Sequence, residues 1–416
     1  MKDISHLYQG LYGTNFDKKD MDARFESLLK EHERQFGAKK DVALFSTAGR
    51  TEIAGNHTDH NLGLVITGTI NLDTIAAVSL RDDSRVILKS EGFPVDDVDI
   101  SDLEIKENEK NTTSSLIRGI AAAFKQRGLK TGGFEANTTT RVLKGSGLSS
   151  SAAIEVLIAE IFNNLFNEDK LPPVELAKIS QYAENVYFGK PSGLMDQIGC
   201  ANGGIVGIDF KDAKNPEVTA LDVNFKDYGY NLVIVDTKGN HADLTGEYAA
   251  VPAEMKMVAS YFGKAVLRDV SLEEFIAKMA DIRKEINNDR AVLRTYHYLC
   301  ENERVKAMLQ ALENKDFDAY LKGVQDSGNS SFRFLQNVYA SSAPFEQGLS
   351  IGIALSESIL KDKGVVRVHG GGFAGTIQAY VPDDLLNEYI TKMDNLFGKG
   401  SATILAIRSL PTCRLC

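Results

Sequence analysis

Three clusters of glycines and polar side chains are where this 416-residue chain could do chemistry. The first, Lys144-Gly145-Ser146-Gly147-Leu148-Ser149-Ser150-Ser151, follows Arg141-Val142-Leu143 and runs straight into an apolar helical pattern. Its glycines let backbone N–H groups approach a ligand, its hydroxyls add donors or a metal ligand, and a helix N-terminus adds partial positive charge. That combination suits a triphosphate. A plain loop with serine as helix N-cap is the competing reading. The chain has no G-x-x-x-x-G-K-[ST], and Gly145-Ser146-Gly147 lacks the third glycine of a dinucleotide fingerprint.

The second cluster runs from Ala48-Gly49-Arg50 through Gly55-Asn56-His57-Thr58-Asp59-His60-Asn61. Such a density of donors and acceptors suits a polyol, whose every hydroxyl wants both. His57, Asp59 and His60 also read as metal ligands, but without a third-ligand spacing. The third, Arg367-Val368-His369-Gly370-Gly371-Gly372, stands between two strand patterns and implies close backbone contact with a ligand or another loop. A fourth pattern is a decoy. Gly348-Leu349-Ser350-Ile351-Gly352 matches the G-x-S-x-G elbow, with Asp362 and His369 downstream, yet Ser350 lies inside an apolar helical pattern with no strand before it.

The elements that must position these clusters follow from periodicity. Asp22 to Phe36 predicts an amphipathic helix, Ser150 to Phe166 a buried one, and Val42–Phe45, Leu64–Ile66, Ile75–Leu80 and Arg85–Lys89 predict strands. Beyond Gly203-Gly204, strands over Ile205–Phe210 and Asn231–Asp236 precede long helical patterns from Pro252 to Asn337, broken at Asn314-Lys315. A helix from Glu346 to Leu360 and alternating strand and helix over 365–408 complete the reading. The expected division is 1–210 and 211–416, two domains being ordinary for this length.

Composition narrows the function. A net charge of −10 argues against a nucleic-acid or anionic-membrane surface. Neither a secretory start nor an apolar run long enough to span a bilayer is present, so a cytoplasmic location is expected. Cys200, Cys300, Cys413 and Cys416 form neither a disulfide framework nor a metal knuckle. The negative total conceals an expected local excess of Arg50, Arg141, Lys144 and Arg367 around the triphosphate.

In this order the three clusters resemble the GHMP sugar and small-molecule kinases, and the second resembles the galactokinase signature. The resemblance implies an α+β fold of two domains with the active site in the cleft between them. It implies a sugar 1-kinase that uses ATP and Mg2+. The family's catalytic carboxylate matches Asp196 in Gly193-Leu194-Met195-Asp196-Gln197, and Arg50 would stabilise charge beside it. Metal ligands would be Ser151 and Glu184, the sugar would meet Asn56, His57, Thr58, Asp59 and Tyr248, and Gly370, Gly371 and Gly372 would form a supporting loop.

Two departures bear on the substrate. The usual signature reads Gly-Glu-His-Thr-Asp-Tyr, whereas this chain has Asn56 and His60 at the second and sixth places. Asn56 would offer amide donors where the family glutamate accepts from the sugar's 6-hydroxyl. Those donors would suit a carboxylate at C6, and His60 points the same way, so galacturonate, or another C6- or C2-modified galactose, is a serious rival to galactose, which the resemblance makes the leading substrate. Leu143 and His369 also replace the more usual Pro and Thr. The remaining alternative is a non-catalytic sugar and ATP sensor. Small molecules are the only partners expected, with a monomer as the default.

Overall fold

A computed structural model of the chain describes residues 3–143, 145–239 and 244–416. Among them, twelve strands follow in chain order: β1 (Ala43–Ala54), β2 (Leu64–Leu80), β3 (Arg85–Ser90), β4 (Val95–Asp99), β5 (Phe134–Thr140), β6 (Ile205–Asp209), β7 (Glu217–Leu221), β8 (Tyr230–Asp236), β9 (Val365–Val368), β10 (Thr376–Pro382), β11 (Ala402–Leu405) and β12 (Cys413–Arg414). Eight of them make one sheet, ordered β12-β1-β2-β5-β3-β4, with β6 and β7 continuing from β2. The other four make a second, antiparallel sheet ordered β11-β8-β10-β9. The fold is the expected α+β arrangement.

The two strands expected within residues 64–80 are one. β1 pairs along most of β2, while β6 covers the first part of β2 and β5 the second, so residues 64–80 stay one strand with a register break at 70–72 opposite Gly49. β1 likewise reaches well past Phe45, because all twelve of its residues are buried and polar Ser46, Thr47, Thr51 and Glu52 find internal partners. Irregularities between Ala48 and Arg50, and between Glu52 and Ala54, let this long ribbon bend.

Helices of the first half are α1 (Tyr8–Tyr12), α2 (Lys18–Phe36), α3 (Thr113–Gln126), α4 (Ser150–Asn167), α5 (Pro173–Tyr182) and α6 (Met195–Asn202), with a π-helical turn over Ala183–Phe188. α4 is apolar nearly all round and packs with α3 on the sheet, burying Leu157, Ile158, Ile161 and Phe162. The second half adds α7 (Thr245–Tyr261), α8 (Leu272–Ile286), α9 (Asp289–Glu313), α10 (Phe317–Ser330), α11 (Gly348–Leu360) and α12 (Leu386–Phe397). Ser350 is a helical residue of α11, and no strand leads into it, so the elbow geometry of a hydrolase is absent there.

One apolar cluster joins the halves, bringing Ile53, Val156 and Ile198 together with Leu232, Val305, Val324 and Tyr380. The division expected at residue 210 falls inside the first sheet. β7 pairs with β6, Ile407 bridges Ile70, and β12 pairs with β1 at Phe45 and Ser46. The segment 406–416 therefore returns from the second sheet and closes the edge of the first. No helix among the described residues is long and apolar enough to cross a membrane.

Candidate active site

Arg50 lies on β1 at the first irregularity, where its N–H donates to the Leu148 carbonyl at 3.1 Å. Its side chain is buried. Nε and Nη2 donate to Asp196 Oδ1 at 2.9 and 2.6 Å, and Nη1 donates to the Gly147 carbonyl. Asp196, in the first turn of α6, receives a third bond at Oδ2 from Ser149 Oγ, 2.7 Å away. Its side chain is still 38% exposed, so the carboxylate keeps an open side and capacity left to accept a proton. Burial pushes this carboxyl up, but the Arg50 charge and the bonds from Ser149 and Arg50 outweigh it and hold Asp196 below the usual carboxylate range.

The loop leading into α4 divides between anchors and exposed groups. Ser146 is buried and donates to the Leu143 carbonyl, and Leu148 is wholly in the core. Gly145, Gly147 and Ser151 are exposed, with Ser149 and Ser150 partly so. Lys144 lies outside the described residues. Ser149 stands at the N-cap of α4 in the left-handed region (φ +60°), and its hydroxyl goes to Asp196 instead of capping the helix. The first N–H groups of α4 therefore keep no side-chain cap, which is the arrangement that receives an anion.

Behind Asp196 lies a second acidic group. Glu184, on the π-helical turn, is buried, and its carboxylate accepts from Lys190 Nζ (2.8 Å), Ser192 Oγ (2.5 Å) and Gln197 Nε2 (2.9 Å). Gln197 Nε2 also lies 3.1 Å from Glu155 Oε2. Burial and the Glu184 charge push the Glu155 carboxyl well above its usual range. Ser151 stands four residues before Glu155, one helical turn along the same face of α4. Among the described residues, no three His, Cys, Asp or Glu side chains gather as a metal cage.

The residues expected at the sugar separate into two kinds. Asn56 is fully buried, and its amide is used inside the protein. Nδ2 donates to Glu52 Oε1 (2.9 Å) and the Gly370 carbonyl (2.7 Å), while Oδ1 accepts from Ser331 Oγ (3.2 Å) and Asn337 Nδ2 (2.7 Å). That occupies all four positions of a side-chain amide, so the expected amide donors toward a C6 substituent are not presented. Thr58 is also buried, its single hydroxyl proton shared between the Gly55 and Leu64 carbonyls.

His57, Asp59 and Tyr248 keep partly exposed surfaces. His57 sits at φ +57° and donates through Nε2 to the Gly371 carbonyl at 2.9 Å, and burial lowers its pKa. Tyr248 OH donates to the Gly372 carbonyl at 3.0 Å. The triple glycine thus ties the signature loop to α7. Asp59 faces Gly193, where any side chain would collide with its Oδ2. This close approach places two carboxyl groups near each other, and burial together with the Asp196 charge pushes Asp59 up to about 6.

Sequence reasoning passed over a polar chain between the sheets. Gln378 Nε2 donates to Thr51 Oγ1 (2.7 Å), which lies 3.0 Å from His369 Nε2; His369 Nδ1 lies 2.9 Å from Thr376 Oγ1, and that hydroxyl donates to the Ser146 carbonyl (2.8 Å). The Glu52 N–H also reaches His369 Nε2 at 3.3 Å, so Nε2 accepts and Nδ1 carries the proton. Burial, with Arg50 and Arg367 beside it, keeps this ring neutral. The expected cluster of cations is smaller than anticipated. Arg367 is wholly buried against Glu52 Oε1 (2.8 Å) and the Ile53 carbonyl, and Arg141 pairs with Asp20.

Similarity to known proteins shows the family. The GHMP kinases N terminal domain matches residues 115–204, and the galactokinase galactose-binding signature matches 30–80. A galactokinase of Actinobacillus pleuropneumoniae serotype 3 is 32% identical over 350 residues, 81% of this chain and 84% of that one. A galactokinase of Clostridium tetani is 31% identical over 391 residues, 89% and 92% of the two chains. In fold, Lactococcus lactis galactokinase complexed with galactose superposes with a TM-score of 0.79 at 24% identity, covering 94% of this chain and 99% of that one. Methanococcus jannaschii mevalonate kinase gives 0.61 at 14%, covering 89% and 99%. With relatives above 30% identity along four-fifths of its length, this chain belongs to the galactokinase-like sugar kinases of the GHMP superfamily.

Proposed function

We propose that the protein transfers the γ-phosphoryl group of ATP to the anomeric hydroxyl of galactose or another neutral galactose-type hexose. The observation that carries this is Asp196, held ionised by Arg50 and Ser149 at the mouth of the uncapped α4 N-terminus. Asp196 aligns the sugar hydroxyl and takes its proton. Arg50 stays bound to that carboxylate and offsets charge as the phosphoryl group passes. The exposed part of the 145–151 loop and the helix N-terminus receive the phosphates, while His57, Asp59 and Tyr248 line the sugar side. Asn56 and Thr58 act as positioning residues.

Mg2+ fits the donor set at Glu184 and Ser151: hard oxygens only, one of them a buried carboxylate, and too few protein ligands for a closed cage. That is how a magnesium ion is held when it keeps waters and takes other oxygens from phosphates. The metal would neutralise phosphate charge. Toward the sugar, the carboxyl groups of Asp59 and Asp196, together with an Asn56 amide already satisfied, favour a neutral C6 over a uronate.

The test is an ADP-release assay with galactose, N-acetylgalactosamine and galacturonate. Galactose should give the highest kcat/KM, and faster turnover of galacturonate would sink the substrate reading. Asp196→Asn should lower kcat by about a thousandfold or more while ATP still binds; near-normal turnover would remove Asp196 from the chemistry.

A further inference from the structure

Lys190 has an exposed side chain, yet its Nζ sits on a buried carboxylate oxygen, Glu184 Oε1, at 2.8 Å. Backbone geometry puts it there. Gly189 takes φ +88° at the end of the π-helical turn, and the N–H groups of Gly189 and Lys190 both donate to the Glu184 carbonyl, at 3.0 and 3.1 Å. The chain doubles back, and the lysine lands on the residue six positions before it. Three carboxyl groups, on Glu155, Glu184 and Asp196, lie within electrostatic reach of its ammonium.

The other described cations near the loops are committed. Arg50 spends its donors on Asp196 and Gly147, Arg141 on Asp20, and Arg367 on Glu52 and Ile53. Lys190 differs from them in two ways. Its partner is the carboxylate assigned above to the metal, and its own side chain stays 58% exposed although that carboxylate is buried. A compact ammonium on a flexible four-carbon stem can follow a moving charge, which a guanidinium held at several points cannot.

We propose that Lys190 is a phosphate-binding residue of this kinase. Without nucleotide it occupies the Glu184 carboxylate. When ATP binds with a divalent cation, Lys190 yields that carboxylate to the cation and turns its ammonium to the non-bridging oxygens of the γ-phosphoryl group. No bond is made or broken by Lys190; it supplies charge to the group in transfer. The proposal rests on the kinase reading above for the position of the nucleotide.

Lys190→Met and Lys190→Arg in the full chain test it. Free Mn2+, measured by electron paramagnetic resonance, reports metal binding to the nucleotide-free protein. Lys190→Met should bind Mn2+ about two- to fivefold tighter, because Glu184 loses its internal cation; unchanged affinity overturns the exchange. The non-hydrolysable analogue AMP-PNP with Mg2+ should bind Lys190→Met about fivefold or more weakly, while Mg·ADP binding stays the same. Equal losses for both nucleotides, or none, overturn the γ-phosphoryl contact. With the best sugar, kcat should fall about tenfold or more in Lys190→Met and largely recover in Lys190→Arg. The first two measurements need no sugar, so a failure of the proposed substrate is distinguishable from a failure of this inference.

Discussion

Replacing Asn56 with glutamate restores the residue usual in the galactokinase signature, and the structure gives the outcome an unfavourable sign. Asn56 Nδ2 lies 2.9 Å from Glu52 Oε1, in a site where Arg367 is already committed to the same carboxylate. A glutamate at 56 puts two carboxylates about 3 Å apart. At an effective dielectric of about 20, the repulsion between them is about 6 kcal/mol. Holding one of them protonated is cheaper. At pH 7 that costs about 4 kcal/mol relative to an ordinary glutamate, and at pH 5 about 1 kcal/mol.

The new carboxyl would have a folded pKa above its unfolded one. Its penalty is therefore absent below about pH 4 and grows as pH rises toward the folded pKa. Thermal unfolding of Asn56→Glu and wild type at pH 5 and pH 7.5 measures this. The variant should be nearly as stable as wild type at pH 5 and several degrees less stable at pH 7.5. Asn56→Gln, which keeps the amide, should lack the pH dependence. A glutamate variant of wild-type stability at both pH values, with improved galactose turnover, would refute the reasoning and turn residue 56 toward the sugar.

Two further outcomes follow from bonds already described. Ser149→Ala removes the donor to Asp196 Oδ2; its loss raises the Asp196 pKa, so the acid limb of the kcat/KM profile should move to higher pH by about one unit or less. Arg367→Met leaves Glu52 buried without its cation. It should destabilise the chain by about 3–5 kcal/mol, seen as a lowered thermal midpoint, and the double variant Arg367→Met/Glu52→Gln should recover most of that loss.

Arg50 and Asp196 were nameable as partners from the sequence because each stands in a short motif, whereas Ser149 read only as a residue of the phosphate loop and its bond to Asp196 was not legible. The burial of α4 was equally plain, since its apolar residues cover most of its circumference. What stayed hidden was which polar residues point inward. Asn56 and His57 are neighbours, yet one is fully buried and the other is partly exposed, and spacing alone does not say so. Arg367 looked like a phosphate ligand because a cation next to a glycine-rich turn usually does, whereas its partner, Glu52, is 315 residues away in the chain. The same separation conceals the Gln378 to Ser146 relay and the reach of β1 beyond Phe45. A strand buried on both faces and furnished with polar side chains shows no alternation to read.

The return of residues 413–414 to the edge of β1 sets an order on biosynthesis. β1 carries Arg50, but its outer edge stays unpaired until the whole second sheet, through residue 405, has been made. The nascent first half therefore waits with an open strand edge, the kind of surface that templates association between chains. A chain cut before residue 406 should be produced as aggregate, however intact its catalytic motifs.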